Sequence, residues 1–271
     1  MQDRYAGDVG DFGKFGLLRH LCGVTAQDDK HDRLKPGVIW YKTEPGKGEV
    51  DNGDGGHTSY LKRRAKSAKD TSAQDENDPR FRTCDEYLYD ALKKMVFQDQ
   101  DRSIEALEKA DLLPGAVYWS EKIDPPRSHW FDGALDKTAS CDLVFVDPDN
   151  GLAWTEGSPK HVSLNEVRLL VQRTPRPSVV IYHHVDHLPG TAEEKTERQL
   201  KCLSKKLDLS SAEQPFGVLF RRWAVRAFLI LPNQDRRHML VERTNALIQK
   251  WGTDEWEKRK PHPHFQRPIL V

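Results

Sequence analysis

Short apolar runs alternate with amphipathic or polar stretches along most of the chain. Apolar runs bounded by turn-forming or polar residues are typical of buried strands and occur at 38–42, 116–119, 143–147 and 179–183. Helical spacing of apolar positions occurs between and beside these runs, at 16–21, 84–97, 103–111, 163–173 and 191–206. This alternation predicts a mostly parallel sheet with helices on both faces.

The C-terminal third carries a different pattern. Phe216–Arg222 and Val225–Leu231 are strand-like runs separated by two residues, and so short a gap requires an antiparallel hairpin. A parallel sheet that ends in such a hairpin is the layout of the Rossmann-like methyltransferases. We therefore predict an α/β protein with a single Rossmann-like domain over 1–271, a polar insertion around 62–82 and an extended C-terminal tail at 251–271.

Composition and charge narrow the classes of protein. The 271 residues include 42 Lys and Arg against 42 Asp and Glu, so the formal net charge is zero. This balance argues against a protein that coats nucleic acid non-specifically, although a local basic face is compatible with it. The longest apolar runs are about five residues, against the roughly 20 of a membrane helix, and the N-terminus lacks an apolar signal region. We expect a soluble, cytoplasmic protein with no membrane partner.

The sharpest motif is Asp142-Leu-Val-Phe-Val-Asp-Pro-Asp-Asn-Gly151. Its apolar strand delivers Asp147 to the carboxyl edge of the sheet, where ligands bind in open α/β folds, and Pro148 ends the strand. The motif resembles the Asp-Pro-Pro-Tyr motif of enzymes that methylate exocyclic amines, with Asp149 and Asn150 at the last two positions. That resemblance implies that Asp147 and the Pro148 carbonyl accept hydrogen bonds from the target amine. The alternative is an ordinary turn, which Pro-Asp-Asn-Gly also favours.

The loop after the first predicted strand is Lys42-Thr-Glu-Pro-Gly-Lys-Gly48. Glycines let a backbone approach a nucleotide-like ligand closely, which is why methyltransferases carry a Gly-x-Gly sequence after their first strand. Gly46 and Gly48 are therefore candidate cofactor-binding residues of this loop, and its likeness to the methyltransferase cofactor loop implies the same role for Thr43 and Glu44.

The opening of the chain contains Tyr5, Gly7-Asp8 and Asp11-Phe-Gly-Lys14. Together with the Thr43–Gly48 loop and Asp147-Pro148, it resembles the bacterial ribosomal-RNA adenine-N6 methyltransferases of the RlmJ type. A closer likeness is to bacterial proteins that share the Gly-Asp-Val-Gly-Asp-Phe-Gly-Lys opening and the Asp-Pro-Asp-Asn-Gly string. The resemblance to the methyltransferases implies that Asp11 and Lys14 lie near S-adenosylmethionine, which donates a methyl group to an amine of a nucleobase or nucleic acid. A binding protein that kept the fold without catalysis is a further alternative.

Two other segments bear on substrate and proton transfer. His57, in a glycine-rich loop, is a candidate general base near neutral pH, and Asp149 is the other candidate to accept the proton. The alternative for the His57 segment is a loop that caps its own backbone. Arg221-Arg-Trp223 and Arg226 mix basic and aromatic groups, as surfaces that bind single-stranded nucleic acid do, although solvated strand ends explain them equally well.

A metal site is the competing hypothesis. In Tyr182-His-His-Val-Asp-His187, the residues His184, Asp186 and His187 reproduce the later part of the metal motif of metallo-β-lactamase-like hydrolases. Together with Asp147 and Asp149, the His183–His187 cluster predicts ligands for one or two divalent ions and a metal-bound water as nucleophile of a hydrolase or nuclease. The alternative is a polar loop at a strand end.

Overall fold

The fold is known from a computed structural model that describes residues 1–25, 32–44, 56–62, 79–155, 158–185, 189–222, 224–251 and 264–271. The α-helices in these ranges are α1 (Val9–Leu21), α2 (Pro79–Arg82), α3 (Glu86–Lys93), α4 (Ile104–Lys109), α5 (Arg127–Lys137), α6 (Leu164–Gln172), α7 (Ala192–Leu207) and α8 (Arg237–Trp251). The strands are β1 (Pro36–Trp40), β2 (Val117–Trp119), β3 (Leu143–Asp147), β4 (Gly151–Ala153), β5 (His161–Ser163), β6 (Ser178–His184), β7 (Phe216–Arg222), β8 (Ala224–Leu231) and β9 (Ile269–Leu270).

Seven of the strands form one sheet in the order β2-β1-β3-β6-β8-β7-β9. The first four in that order run parallel, and β8 lies antiparallel between β6 and β7. The short strands β4 and β5 form a separate parallel pair. The expected α/β class, with a mostly parallel Rossmann-like sheet and a C-terminal antiparallel hairpin, is confirmed.

Alternation along the strands creates two apolar cores, one on each face of the sheet. In β3, Leu143 and Phe145 join the core under α1, α3, α4 and α8, whereas Val144 and Val146 join the core under α5, α6 and α7. Every residue of β3 is buried because helices cover both faces. No helix within the described ranges is both long and apolar enough to span a membrane.

Helix α1 lies over the carboxyl ends of the central strands. It begins earlier than the predicted 16–21 because Asp8 caps it, with Asp8 Oδ1 accepting a hydrogen bond from the Asp11 backbone at 3.1 Å. A Cβ atom at Gly10 would lie 3.2 Å from Tyr182 Oη, and one at Gly13 would lie 2.7 Å from the Phe220 ring. Glycine at both positions therefore lets the helix pack close to β6 and β7.

The segment 264–271 returns to the edge of the sheet. β9 pairs antiparallel with β7, and the buried Phe265 ring lies 5.0 Å from the ring of Phe220. This is the described part of the predicted tail. Residues 252–263 of that tail and 63–78 of the predicted insertion lie outside the described residues.

Candidate functional site

A cavity of about 280 Å³ opens at the carboxyl edge of the parallel strands. Its lining comes from the N-terminal segment, the start of α1, the loop after β3 and the ends of β6, β7 and β8, together with His57 and Lys160. The candidates Lys14, His57, Asp147, Pro148, Asp149, Asn150 and His184 all line it. The sequence therefore predicted residues that the fold brings to one place.

A buried ion-pair network lies at the base of the cavity. Lys14 Nζ is 2.9 Å from Asp147 Oδ2 and 3.2 Å from Asp11 Oδ1, and it lies 4.4 Å from the centre of the Tyr182 ring. Asp11 also accepts a hydrogen bond from the Gly7 backbone at 2.9 Å. We call Asp8, Asp11, Asp147 and Asp149, with the ammonium group of Lys14 and the amino group of Met1, the carboxylate floor.

Burial dominates the ionisation of the floor. It raises the pKa of Asp11 to about 7, although the nearby Lys14 acts in the opposite direction. Burial also raises the pKa of Asp8. Burial by itself lowers the pKa of Lys14, but the carboxylates of Asp147 and Asp11 raise that pKa well above its usual value. Lys14 is therefore a permanent ammonium group beside Asp147.

Asp149 is already engaged by neighbouring groups. Its Oδ1 lies 2.6 Å from the amino group of Met1, and its Oδ2 accepts hydrogen bonds from Gln2 Nε2 and Thr43 Oγ1, each at 3.2 Å. Thr43 also donates its backbone N–H to the Met1 carbonyl at 3.2 Å. Asp149 thus links the N-terminal segment to the loop after β1.

The Pro-Asp-Asn-Gly sequence forms a turn that also borders the cavity. Gly151 adopts a φ of +92°, and the Asn150 backbone N–H donates to the Lys160 carbonyl at 2.8 Å. The Leu152 backbone N–H donates to His183 Nδ1 at 3.1 Å. The hydrogen bond to His183 therefore holds the turn at the end of β6. The segment is both a turn and part of the cavity wall, so the interpretation as an ordinary turn and the interpretation as a functional motif do not exclude each other.

The predicted cofactor loop is described only in its first part. Thr43 contacts Asp149, whereas Glu44 is exposed and forms an ion pair with Lys122 at 3.0 Å. Neither residue is among those that line the cavity, and Asp11 lies beneath its surface. Gly46 and Gly48 lie outside the described residues.

The histidine cluster is likewise described in part. His184 lines the cavity, and burial, followed by the charges of Arg226 and Lys14, lowers its pKa to about 3. Asp186 and His187 lie outside the described residues. Within the part of the chain that the structure describes, no three His, Cys, Asp or Glu side chains are grouped to hold a metal ion.

Several lining residues were not predicted as site residues. Lys160 and Phe220 were not singled out, and Arg222 and Arg226 were noted only as a basic strand end. The hairpin register was not predictable from the two-residue gap, because that gap would set Arg226 opposite Arg221, whereas in the structure Arg222 pairs with Ala224 and Arg226 lies opposite Phe220. Lys160 offered no sequence signal either, since it comes from the loop between β4 and β5.

Comparison of the sequence with protein families and with curated proteins gives no match. No protein-family model matches this chain, and no curated protein matches it in sequence.

Proposed function

We propose that this protein is a methyltransferase that uses S-adenosylmethionine to methylate an amine of a nucleobase, in the cytoplasm and on nucleic acid. The observation that carries the proposal is the place of Asp147. It ends β3 at the carboxyl edge of the sheet, precedes Pro148 in the cavity wall, and has its carboxylate fixed by Lys14 at 2.9 Å. The antiparallel β8 between β6 and β7 adds the sheet layout of Rossmann-like methyltransferases.

The charges of the floor fit this cofactor. S-adenosylmethionine carries a sulfonium and an ammonium group. In the floor, Asp147 and Asp149 pair with Lys14 and the Met1 amino group, whereas Asp8 and Asp11 have pKa values that burial raises. A cationic nucleotide-like ligand at this edge of the sheet would favour the ionised forms of these two carboxyl groups. Asp8, which lines the cavity, and Asp11, beneath its surface, are the residues of this chain that would favour such a ligand.

The residues have separate roles in this proposal. When bound, S-adenosylmethionine supplies an electrophilic methyl group. Asp147 Oδ1 and the Pro148 carbonyl accept hydrogen bonds from the target amine, which orients the nitrogen lone pair. Lys14 holds Asp147 Oδ2 and prevents the carboxylate from rotating.

The methylated amine must then release one proton. Asp149 is a poor acceptor, because its two oxygens already bind the Met1 amino group, Gln2 and Thr43. His57 lines the cavity and has an imidazole, which is suited to accepting a proton near neutral pH. We therefore assign the proton acceptor to His57.

A metal-dependent hydrolase is the second candidate, favoured by His184 lying in the same cavity as Asp147 and Asp149. Both carboxylates already bind ammonium groups, however, and a divalent ion would have to displace Lys14 or the Met1 amino group. This displacement would cost the ion pairs that the two buried carboxylates now make. Methyl transfer therefore ranks first.

Calorimetric titration distinguishes these functions. The protein is titrated separately with S-adenosylmethionine and with Mn²⁺, and each titration is repeated with Asp147→Asn and with Glu105→Gln, an exposed control on α4. The proposal expects binding of S-adenosylmethionine by all three proteins, and methylation of RNA lost only in Asp147→Asn. Mn²⁺ binding that Asp147→Asn abolishes, without any heat from S-adenosylmethionine, would establish the hydrolase instead. If neither titration gives binding heat, the alternative of a non-catalytic binding protein with this fold is favoured.

A further inference from the structure

Three side chains form a row across β6, β8 and β7 on the wall of the cavity. Arg226 of β8 is opposite His184 of β6 and also opposite Phe220 of β7. Opposed residues in antiparallel strands point to the same face of a sheet, so the three side chains are neighbours. All three line the cavity. We call His184, Arg226 and Phe220 the hairpin row.

Arg226 is a cation that pairs with no carboxylate of the described residues. Among the described residues, no Asp or Glu oxygen lies within 4.0 Å of its guanidinium, which donates only a long hydrogen bond of 3.3 Å to the Val225 carbonyl. Its Nε atom is buried and makes no hydrogen bond with any described atom. A half-buried guanidinium in this state has unused donors that an anion from outside can satisfy.

The surroundings of Arg226 keep this wall positive. His184 lies opposite it on β6 and lines the same part of the cavity. Arg222 stands farther along β7 at the rim of the same cavity, where its Nε donates to His264 Nδ1 at 2.7 Å and its Nη1 to the Arg221 carbonyl at 2.8 Å. These two bonds fix the orientation of a second guanidinium. The cavity therefore has a cationic wall and a carboxylate floor.

We propose that the hairpin row binds a phosphate group of a nucleic-acid strand, while the base of the same nucleotide reaches Asp147 on the floor. A guanidinium offers paired donors that match phosphate oxygens, and the adjacent imidazole of His184 adds a further N–H donor. This inference rests on the proposed function and deepens it, since it makes the substrate a nucleotide within a strand rather than a free amine.

The experiment measures binding of a fluorescein-labelled single-stranded RNA of about 12 nucleotides. Fluorescence anisotropy gives the dissociation constant at several salt concentrations for the wild type, Arg226→Ala and Arg226→Lys. Arg168→Ala is the matched control, because it removes a guanidinium from α6 on the opposite face of the sheet. Thermal denaturation followed by circular dichroism verifies that each variant folds.

We expect Arg226→Ala to weaken RNA binding roughly ten-fold and to lower the slope of log affinity against log salt by about 0.7, as loss of one phosphate contact does. Arg226→Lys keeps the charge and so retains the slope, but it loses part of the affinity because a lysine cannot form paired bonds. Arg168→Ala behaves as the wild type. Unchanged affinity and slope in Arg226→Ala, or no binding of RNA by the wild type, overturns the inference.

A second titration separates this inference from the proposed function. The same variants are titrated calorimetrically with S-adenosylmethionine, whose carboxylate is the other anion that the hairpin row can attract. If Arg226→Ala weakens binding of this cofactor but not of RNA, the phosphate assignment is wrong while the methyltransferase proposal stands. If the wild type ignores the cofactor but RNA binding depends on Arg226 as expected, the proposed function is wrong and the phosphate site stands.

Discussion

Lys14 Nζ lies 2.9 Å from Asp147 Oδ2, although the two residues are 133 positions apart in the chain. Lys14 belongs to the helix that precedes the first strand, and Asp147 is the last residue of a central strand. Both side chains are buried, with exposed fractions of 6% and 1%. This contact therefore joins the opening of the chain to the carboxyl edge of the sheet, where the cavity lies.

The first prediction concerns this ion pair. Lys14→Met leaves the buried carboxylate of Asp147 without its cation, so we expect a loss of about 3–5 kcal/mol in the free energy of unfolding. Lys201→Met is the control, because it removes the cation of an exposed pair with Glu197 and should cost less than about 1 kcal/mol. Urea denaturation measures both.

A double variant tests whether the loss arises from the pair itself. Asp147→Asn removes the charge that Lys14→Met leaves uncompensated, so combining the two changes should cost less than the sum of the single losses. Strictly additive losses would show that Lys14 stabilises the protein through contacts other than Asp147.

The second prediction concerns the proton on Asp11. Burial raises its pKa from 3.8 to about 7, so in that window the folded protein holds a proton that the unfolded chain has released. Rising pH therefore lowers the free energy of unfolding through this group. Relative to Asp11→Asn, the wild type should lose about 1 kcal/mol or more between about pH 4 and pH 7 in urea denaturation. A constant difference across this range would contradict the raised pKa.

The third prediction has the opposite sign. Burial lowers the pKa of His184 from 6.5 to about 3, so in that window the unfolded chain binds a proton that the folded protein does not. The associated stability is complete above the usual histidine pKa and is lost as the pH falls. Relative to His184→Gln, the wild type should therefore gain about 1 kcal/mol or more between about pH 4 and pH 7. The difference in free energy of unfolding between wild type and variant should change with pH in opposite directions for Asp11→Asn and His184→Gln. Each variant is therefore a control for the other.

The sheet could be predicted largely from local pattern. Each strand of the parallel part is a short apolar run, and β3 carries Asp147 to the edge by its own sequence. Helix α8 was not predicted, because its buried residues form one narrow stripe among polar ones: Leu240, Thr244, Leu247 and Trp251. Helix α5 and the short strands β4, β5 and β9 were also missed, because their apolar signal is brief.

The candidate site was predictable residue by residue but not as a set of contacts. Asp147, His57 and His184 could be selected by residue type and by their place after strands or in a glycine-rich loop. The pairing of Lys14 with Asp147 depends on how α1 crosses the sheet, and no local spacing contains that information. The row that contains Arg226 needs the pairing of β6 with β8, which is equally long-range.

The fourth prediction concerns the turn that follows Asp147. Gly151 has a φ of +92°, and a Cβ atom there would lie 2.9 Å from the Cα atom of His183. Gly115 is a matched control, because its φ is +78° but no described atom lies within 4 Å of the added Cβ position. Both alanine variants pay about 1–2 kcal/mol for the left-handed backbone. Gly151→Ala must in addition push the turn away from β6, so it should lose about 2 kcal/mol more than Gly115→Ala in urea denaturation. Equal losses would mean that the turn is free to move away from His183, and that the position of the Asp147 loop is not set by this contact.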